Sequence, residues 1–208
     1  MVFEFIKLNI DITDDDFNLI YPQTISILDK KHWTSVAVAK VSSEYLVDKP
    51  GTRVLDIGSG AGKFCLVGAS NTQGHFTGIE QRAELVDLSK RLADSYSIQN
   101  VKFIHSNITE IDFRRYDSFY FYNSFYENID TANRIDDSVH LDKQLYQQYS
   151  TFLIAQFSEL PIGTRLVTNC SPLTIIPNCF KLQYSMRGGL LRFWEKIEDS
   201  KDLVMMPN

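Results

Sequence analysis

The 208-residue chain lacks an apolar run near the ~20 residues of a membrane-spanning helix, so no membrane span is expected. It lacks an excess of positive charge: 21 Lys and Arg against 26 Asp and Glu leave a net charge of −5. That balance disfavours non-specific binding to nucleic acid or anionic lipid, and leaves open a small cationic ligand or a basic protein partner. It also lacks a cysteine framework. Cys65, Cys170 and Cys179 are odd in number and none sits in a CxxC pair, so neither a disulfide scaffold nor a metal site is expected. Reduced thiols in a cytoplasmic protein are the expectation that follows. The opening residues 1–8 place no basic leader before their apolar residues, so no secretory signal is expected. No repeat, low-complexity tract or Pro/Gly/Ser linker divides the chain. A single domain over 1–208 is expected, with 1–33 an N-terminal extension or lid and 34–197 the core.

What is present is globular, with 44 % hydrophobic and 23 % charged residues, which excludes a largely disordered chain. The stretch to about Leu28 reads as irregular, and its Asp14-Asp15-Asp16 cluster as a solvated helix start. From Thr34 the apolar spacing turns helical, with Thr34 or Ser35 as cap and Lys49-Pro50-Gly51 as stop. Short strands are expected at 53–57, 75–79, 101–104, 118–122 and 164–168, with helices at 64–69, 83–96 and 141–160 among them. Two β-rich runs, 180–186 and 190–194, flank Gly188-Gly189 and read as a hairpin. Strands alternating with helices predict an α/β fold: a mostly parallel sheet, helices on both faces, and a C-terminal antiparallel hairpin. Ligands of such sheets bind beyond the carboxyl ends of the strands.

The loop after the first strand is Asp56-Ile57-Gly58-Ser59-Gly60-Ala61-Gly62-Lys63. It fails the P-loop pattern twice: Ile57 stands where the first glycine belongs, and Phe64 follows Lys63 where a hydroxyl should hold Mg²⁺. It fails the dinucleotide pattern once, because Lys63 stands at the third glycine. It fits [DE]xGxGxG. Glycines let the backbone pass close to a ligand, and the Asp56 carboxylate suits the amino group of an amino-acid moiety. A pyrophosphate would be repelled by that same charge. Glu80, ending the second strand, can accept ribose hydroxyls, and Gln81 can lie along an adenine edge. After the third strand Asn107 can meet the adenine amino group, with Ile108 against the ring face.

Residues 54–62, then Gly78-Ile79-Glu80, then Ser106-Asn107-Ile108 resemble a class I S-adenosylmethionine-dependent methyltransferase, over roughly residues 34 to 195. The resemblance implies a Rossmann-like seven-stranded sheet and S-adenosyl-L-methionine as cofactor. It places Asp56, Gly58, Ser59, Gly60 and Gly62 around the methionine part, Glu80 at the ribose and Asn107 at the adenine. At the end of the fourth strand, Asn123-Ser124-Phe125-Tyr126 matches the first and last positions of the [ND]PP[YF] loop of amino-directed methyltransferases, without either proline. It is also similar to the Asn-x-Phe loop of histone-lysine methyltransferases that lack a SET domain. Their threonine-bearing lid has its counterpart in His32-Trp33-Thr34-Ser35, which makes Thr34 a cofactor contact. Asn123 and Tyr122 are then the groups that orient the acceptor, expected to be a nitrogen, with oxygen the alternative, of a small molecule or a protein side chain. Nucleic acid is not an expected partner. The competing readings are a non-catalytic adenosylmethionine-binding module and an NAD-dependent oxidoreductase, the latter opposed by Lys63 and the acidic loop entry.

Overall fold

Five parallel strands carry the sheet: β1 (Arg53–Ile57), β2 (His75–Glu80), β3 (Val101–His105), β4 (Ser118–Phe121) and β5 (Arg165–Asn169). The hairpin strands β6 (Phe180–Met186) and β7 (Leu191–Lys196) complete it, with β7 antiparallel to β5. The order is β3-β2-β1-β4-β5-β7-β6. The structure is a computed structural model and describes residues 2–26 and 33–199. From β1 the chain first builds outward through β2 and β3, then returns to place β4 on the other side of β1. The connections leaving β1 and β4 therefore diverge, and a crevice opens between them at their carboxyl ends.

The period-2 alternation of the central strands sorts the core. Leu55, Ile57, Phe119 and Phe121 pack with Leu153 and Phe157 of α7 (Lys143–Glu159). Val54, Tyr120 and Val167 point to the opposite face. There they meet α4 (Val36–Leu46), α5 (Lys63–Asn71) and α6 (Ala83–Ser95). Asp56 is cross-strand partner to Tyr120, so the carboxyl that ends β1 lies on the α5 face. The side chain of Ser35 caps α4, as its position before an apolar run predicts.

The N-terminal segment differs from the irregular stretch expected of it. It forms α1 (Val2–Lys7), α2 (Asp14–Asn18) and α3 (Gln23–Ser26). None exceeds 6 residues, too few for a 3.6-residue period to show. The acidic cluster is a helix start, closed by a capping box between Thr13 and Asp16. It is more than a solvated one, because Asp14 reaches into the fold. His32, read as part of a lid, lies outside the described residues.

Candidate active site

A cleft of about 470 Å³ lies across the ends of β1, β2 and β4. Its floor is the glycine loop. Gly58 has φ +77°, and a Cβ there would stand 2.3 Å from that of Ser124, so only glycine lets the loops after β1 and β4 meet. Ser124 Oγ fastens the pair by donating to the Ile57 carbonyl. Gly58, Ser59 and Gly60 line the cleft. Gly62 is placed behind it: a Cβ would lie 2.7 Å from the Phe103 ring, so this glycine serves the packing of α5 against β3.

Asp56 is 3 % exposed. Burial pushes its pKa up to about 7; the Cys65 thiol, 3.5 Å away, opposes the rise and the charge of Glu80 adds to it. A cationic ligand group beside it would restore the charged form. Glu80 is buried as well, and burial raises its pKa against the pull of Arg82 and three backbone donors. Oε1 accepts from the N–H groups of Gln81 (2.9 Å) and Arg82 (3.0 Å), and Oε2 from Gly60 (3.0 Å). A carboxylate offers about four lone-pair positions, so Glu80 keeps room for about one more donor, at Oε2.

Gln81, Ser106 and Ile108 reach the cleft, whereas Asn107 is not among the residues lining it. Its carbonyl oxygen caps the turn at Ile108–Glu110, accepting from Thr109, and its amide donates to the Tyr149 hydroxyl at 2.7 Å and to Gln81 Oε1 at 3.4 Å. It thus sets the positions of Gln81 and Ile108. Thr34 does line the cleft, with its hydroxyl 2.8 Å from that of Tyr120. Tyr120 is stacked on Phe64 at 3.9 Å between centroids, so β4, α5 and the segment before α4 are locked together.

Tyr122 and Asn123 both face the cleft. Asn123 adopts φ +41°, a conformation that asparagine tolerates better than most residues. Its N–H donates to Ser171 Oγ at 3.0 Å and its carbonyl accepts from Tyr126 at 2.9 Å. These bonds, the Ser124 anchor and the burial of Phe125 against Tyr149 hold the loop without prolines. The Asn123 carboxamide makes no hydrogen bond among the described residues, leaving its oxygen available.

Two residues of the site carried no motif. Lys63 lines the cleft while almost fully buried, its Nζ 2.7 Å from Asp14 and 3.1 Å from Asn18. A lysine in the first turn of an otherwise apolar helix opposes the dipole, which is a legible sign that a carboxylate must come from elsewhere. Arg82 is buried and pairs with Glu127 and Asp136 of the loop beyond β4; nothing in its spacing marks it.

A family model described as a methyltransferase domain matches residues 48–174, from before β1 to beyond β5. The chain belongs to this methyltransferase family. Its fold is that of the class I S-adenosylmethionine-dependent methyltransferases, and S-adenosyl-L-methionine is the cofactor this fold serves. Solved structures agree on the fold. An RNA methyltransferase from Salinibacter ruber, in complex with S-adenosyl-L-homocysteine, is 18 % identical, with a TM-score of 0.52 over 88 % of this chain and 96 % of that one. A SAM-dependent O-methyltransferase from Thermotoga maritima is 17 % identical, with a TM-score of 0.53 over 87 % and 74 %. TrmN from Thermus thermophilus is 18 % identical, with a TM-score of 0.55 over 81 % of this chain, which spans 50 % of the length of that protein. No curated protein matches the methyltransferase chain in sequence. The cleft suits the cofactor on its own chemistry. It holds two buried acids, one able to take an ammonium and one with an acceptor position left for a hydroxyl, and two buried polar atoms, Trp33 Nε1 and Ser59 Oγ, that have no partner among the described residues.

Proposed function

We propose that this methyltransferase moves the methyl group of S-adenosylmethionine to an amine nitrogen of a small molecule or a protein side chain. The observation that carries the reading is the uncommitted Asn123 carboxamide lining the same cleft as Asp56 and Glu80. Asp56 would receive the cofactor's ammonium, Glu80 its ribose, and Gln81, Ser106 and Ile108 its adenine, with Gly58, Ser59 and Gly60 along the methionine. Asn107 acts through Gln81 and Ile108, and Gly62 through the loop's packing. When bound, the cofactor supplies an electrophilic methyl. The chain's task is to aim a neutral amine lone pair at it and to keep water out. Asn123 Oδ1, with the Tyr122 hydroxyl beside it, accepts the amine's N–H bonds and so directs the lone pair.

A nucleic-acid acceptor is disfavoured because the two cations on the described cleft wall, Lys63 and Arg82, are both bound to carboxylates. Phosphates would find no cation to spare there. Cys65, Cys170 and Cys179 are thiols not joined in disulfides among the described residues, in keeping with a reducing, cytoplasmic setting. The described residues include no helix long and apolar enough to cross a membrane. The single-domain reading, with a core over 34–197, is supported by one continuous sheet.

The test has two stages. Adenosylhomocysteine at a hundred times its dissociation constant should stabilise the fold by ~2.7 kcal/mol, and NAD should not. Radiolabelled methyl from adenosylmethionine should then enter an acid-stable amine in fractionated lysate. Labelling of RNA instead would reject the acceptor class, and a larger shift with NAD would reject the cofactor.

A further inference from the structure

Trp33 presents an unusual atom. The residue is 8 % exposed, its Nε1 has no hydrogen-bond partner among the described residues, and it lines the cleft. A buried N–H left unpaired costs free energy comparable to a lost hydrogen bond, and native proteins rarely keep one without reason. The indole is not loose packing. Its ring lies 4.6 Å from that of Tyr21, whose hydroxyl donates to the Ala61 carbonyl of the glycine loop. Its nitrogen stands 3.9 Å from where a Gly60 Cβ would be, at the floor of the cleft.

The surroundings define the missing partner. Lys63 Nζ sits 5.9 Å from the Trp33 ring centroid. The N-terminus of α5, nine residues long, begins at the same place and turns its first N–H groups and positive dipole end toward the glycine loop. The indole N–H is a donor only. Lys63 is already paired with Asp14, so the groups here that call for an acceptor are the indole N–H and the first N–H groups of α5, whereas Asp56, lining the same cleft, favours a cation. A zwitterionic amino-acid group satisfies both, ammonium to Asp56 and carboxylate to the donor side.

We infer that the indole N–H of Trp33 is the docking donor for the α-carboxylate of the cofactor's methionine moiety, at the Lys63 end of the glycine loop. The assignment rests on adenosylmethionine being the cofactor, and it gives the N-terminal extension a binding role. Asp14 accepts from both Lys63 and the Val36 N–H, which holds α2 beside the segment that carries Trp33.

Calorimetry on the wild-type chain and on Trp33→Phe, with three ligands, tests this. The ligands are adenosylhomocysteine, its decarboxylated amine analogue, and methylthioadenosine, which has no amino-acid end. Trp33→Phe should weaken adenosylhomocysteine by about tenfold or more, the factor expected for a lost hydrogen bond to a charged group. The other two ligands should change by less than about twofold, since neither carries the carboxylate. Unchanged adenosylhomocysteine binding, or an equal loss for all three ligands, overturns the assignment and leaves Trp33 a packing residue. An independent measurement needs no substitution. The chain has two tryptophans, and Trp194 donates to Thr168, so ¹⁵N-indole spectra show Trp33 against an internal reference. The Trp33 N–H should move downfield with adenosylhomocysteine and much less with the amine analogue; equal movement overturns the inference. Wild-type protein that binds none of the three overturns the cofactor reading, and this assignment with it.

Discussion

Arg82 Nη2 stands 2.6 Å from Glu127 Oε2, tying the end of β2 to a loop 45 residues further along the chain. The same guanidinium reaches Asp136 Oδ1 at 3.0 Å and Glu80 Oε1 at 3.6 Å. Burial alone would weaken its charge. Glu127, Asp136 and Glu80 more than offset that and hold its pKa above the ordinary value. One buried cation thus joins the cofactor-side carboxylate to the loop over 126–138, whose Tyr126, Glu127, Asp130 and Ile135 line the cleft.

Removing that cation should therefore do two things. Arg82→Gln leaves Glu127, Asp136 and Glu80 without their shared cation and should cost about 3 kcal/mol or more of stability, read from denaturant melts. Amide hydrogen exchange over 126–138 should rise beyond the global change. Arg82→Lys should recover only part of either effect, because an ammonium cannot serve three carboxylates in a fixed fork. Equal exchange in wild type and Arg82→Gln would show that the loop is held by other contacts.

Glu80 has a double duty that its place in the motif conceals. It closes the glycine loop through Gly60 and the β2 turn through Gln81 and Arg82. Glu80→Ala should lower cofactor affinity by ~1.5–3 kcal/mol and should also lower the melting temperature of the free protein. Glu80→Gln keeps one acceptor and should lose less of both. An alanine variant with full stability and full affinity would remove Glu80 from the site.

The pH dependence follows from Asp56. Its carboxyl ionises near the ordinary value of 3.8 when unfolded and at about 7 when folded without ligand. The raised folded value means that its contribution to stability is fully present below the unfolded pKa. That contribution is lost progressively as pH rises through about 7. Asp56→Asn should therefore gain on the wild type as pH rises from 4 to 8 without cofactor. Adenosylhomocysteine should bind the wild type more tightly as pH rises through about 7, with proton release seen as a buffer-dependent calorimetric enthalpy. Affinity that is flat from pH 6 to 8 would place the ammonium elsewhere.

The parts of this site that were legible in the sequence are those fixed by backbone geometry. Gly58 and Glu80 sit at the ends of strands whose alternation also sets the sheet, so a short motif carries their positions. Asn107 and Gly62 belong to the same motifs, yet side-chain packing decided their roles: one caps a turn and bonds Tyr149, the other clears Phe103. Lys63 and Arg82 meet partners 49 and 45 residues away, and Trp33 packs on Tyr21, which is itself tied to Ala61, 40 residues further on; no local pattern identifies these partners. The three short N-terminal helices escaped for a related reason. Each buries at most two residues, so tertiary contacts of those few residues, not periodicity, make them helical.

The chemical role of Asn123 needs a test that separates its side chain from its backbone. At φ +41° most residues are strained, so Asn123→Ala removes the carboxamide and also disturbs the turn that Tyr126 and Ser171 close. Asn123→Gly removes the carboxamide while accepting the backbone conformation. Asn123→Asp keeps an oxygen at the same place. If Oδ1 orients the acceptor amine, the glycine variant should bind adenosylhomocysteine as the wild type does. Its turnover should fall about 100-fold, since that bond matters most in the transition state and a misplacement near 1 Å costs that much. The aspartate variant should retain more activity than the glycine variant, and the alanine variant should lose stability as well as rate. Tyr122→Phe, measured in parallel, should reduce turnover less than Asn123→Gly if the carboxamide is the principal acceptor. Full turnover in Asn123→Gly with Tyr122→Phe inactive would move the acceptor-orienting role from the carboxamide to the phenol, within the same loop.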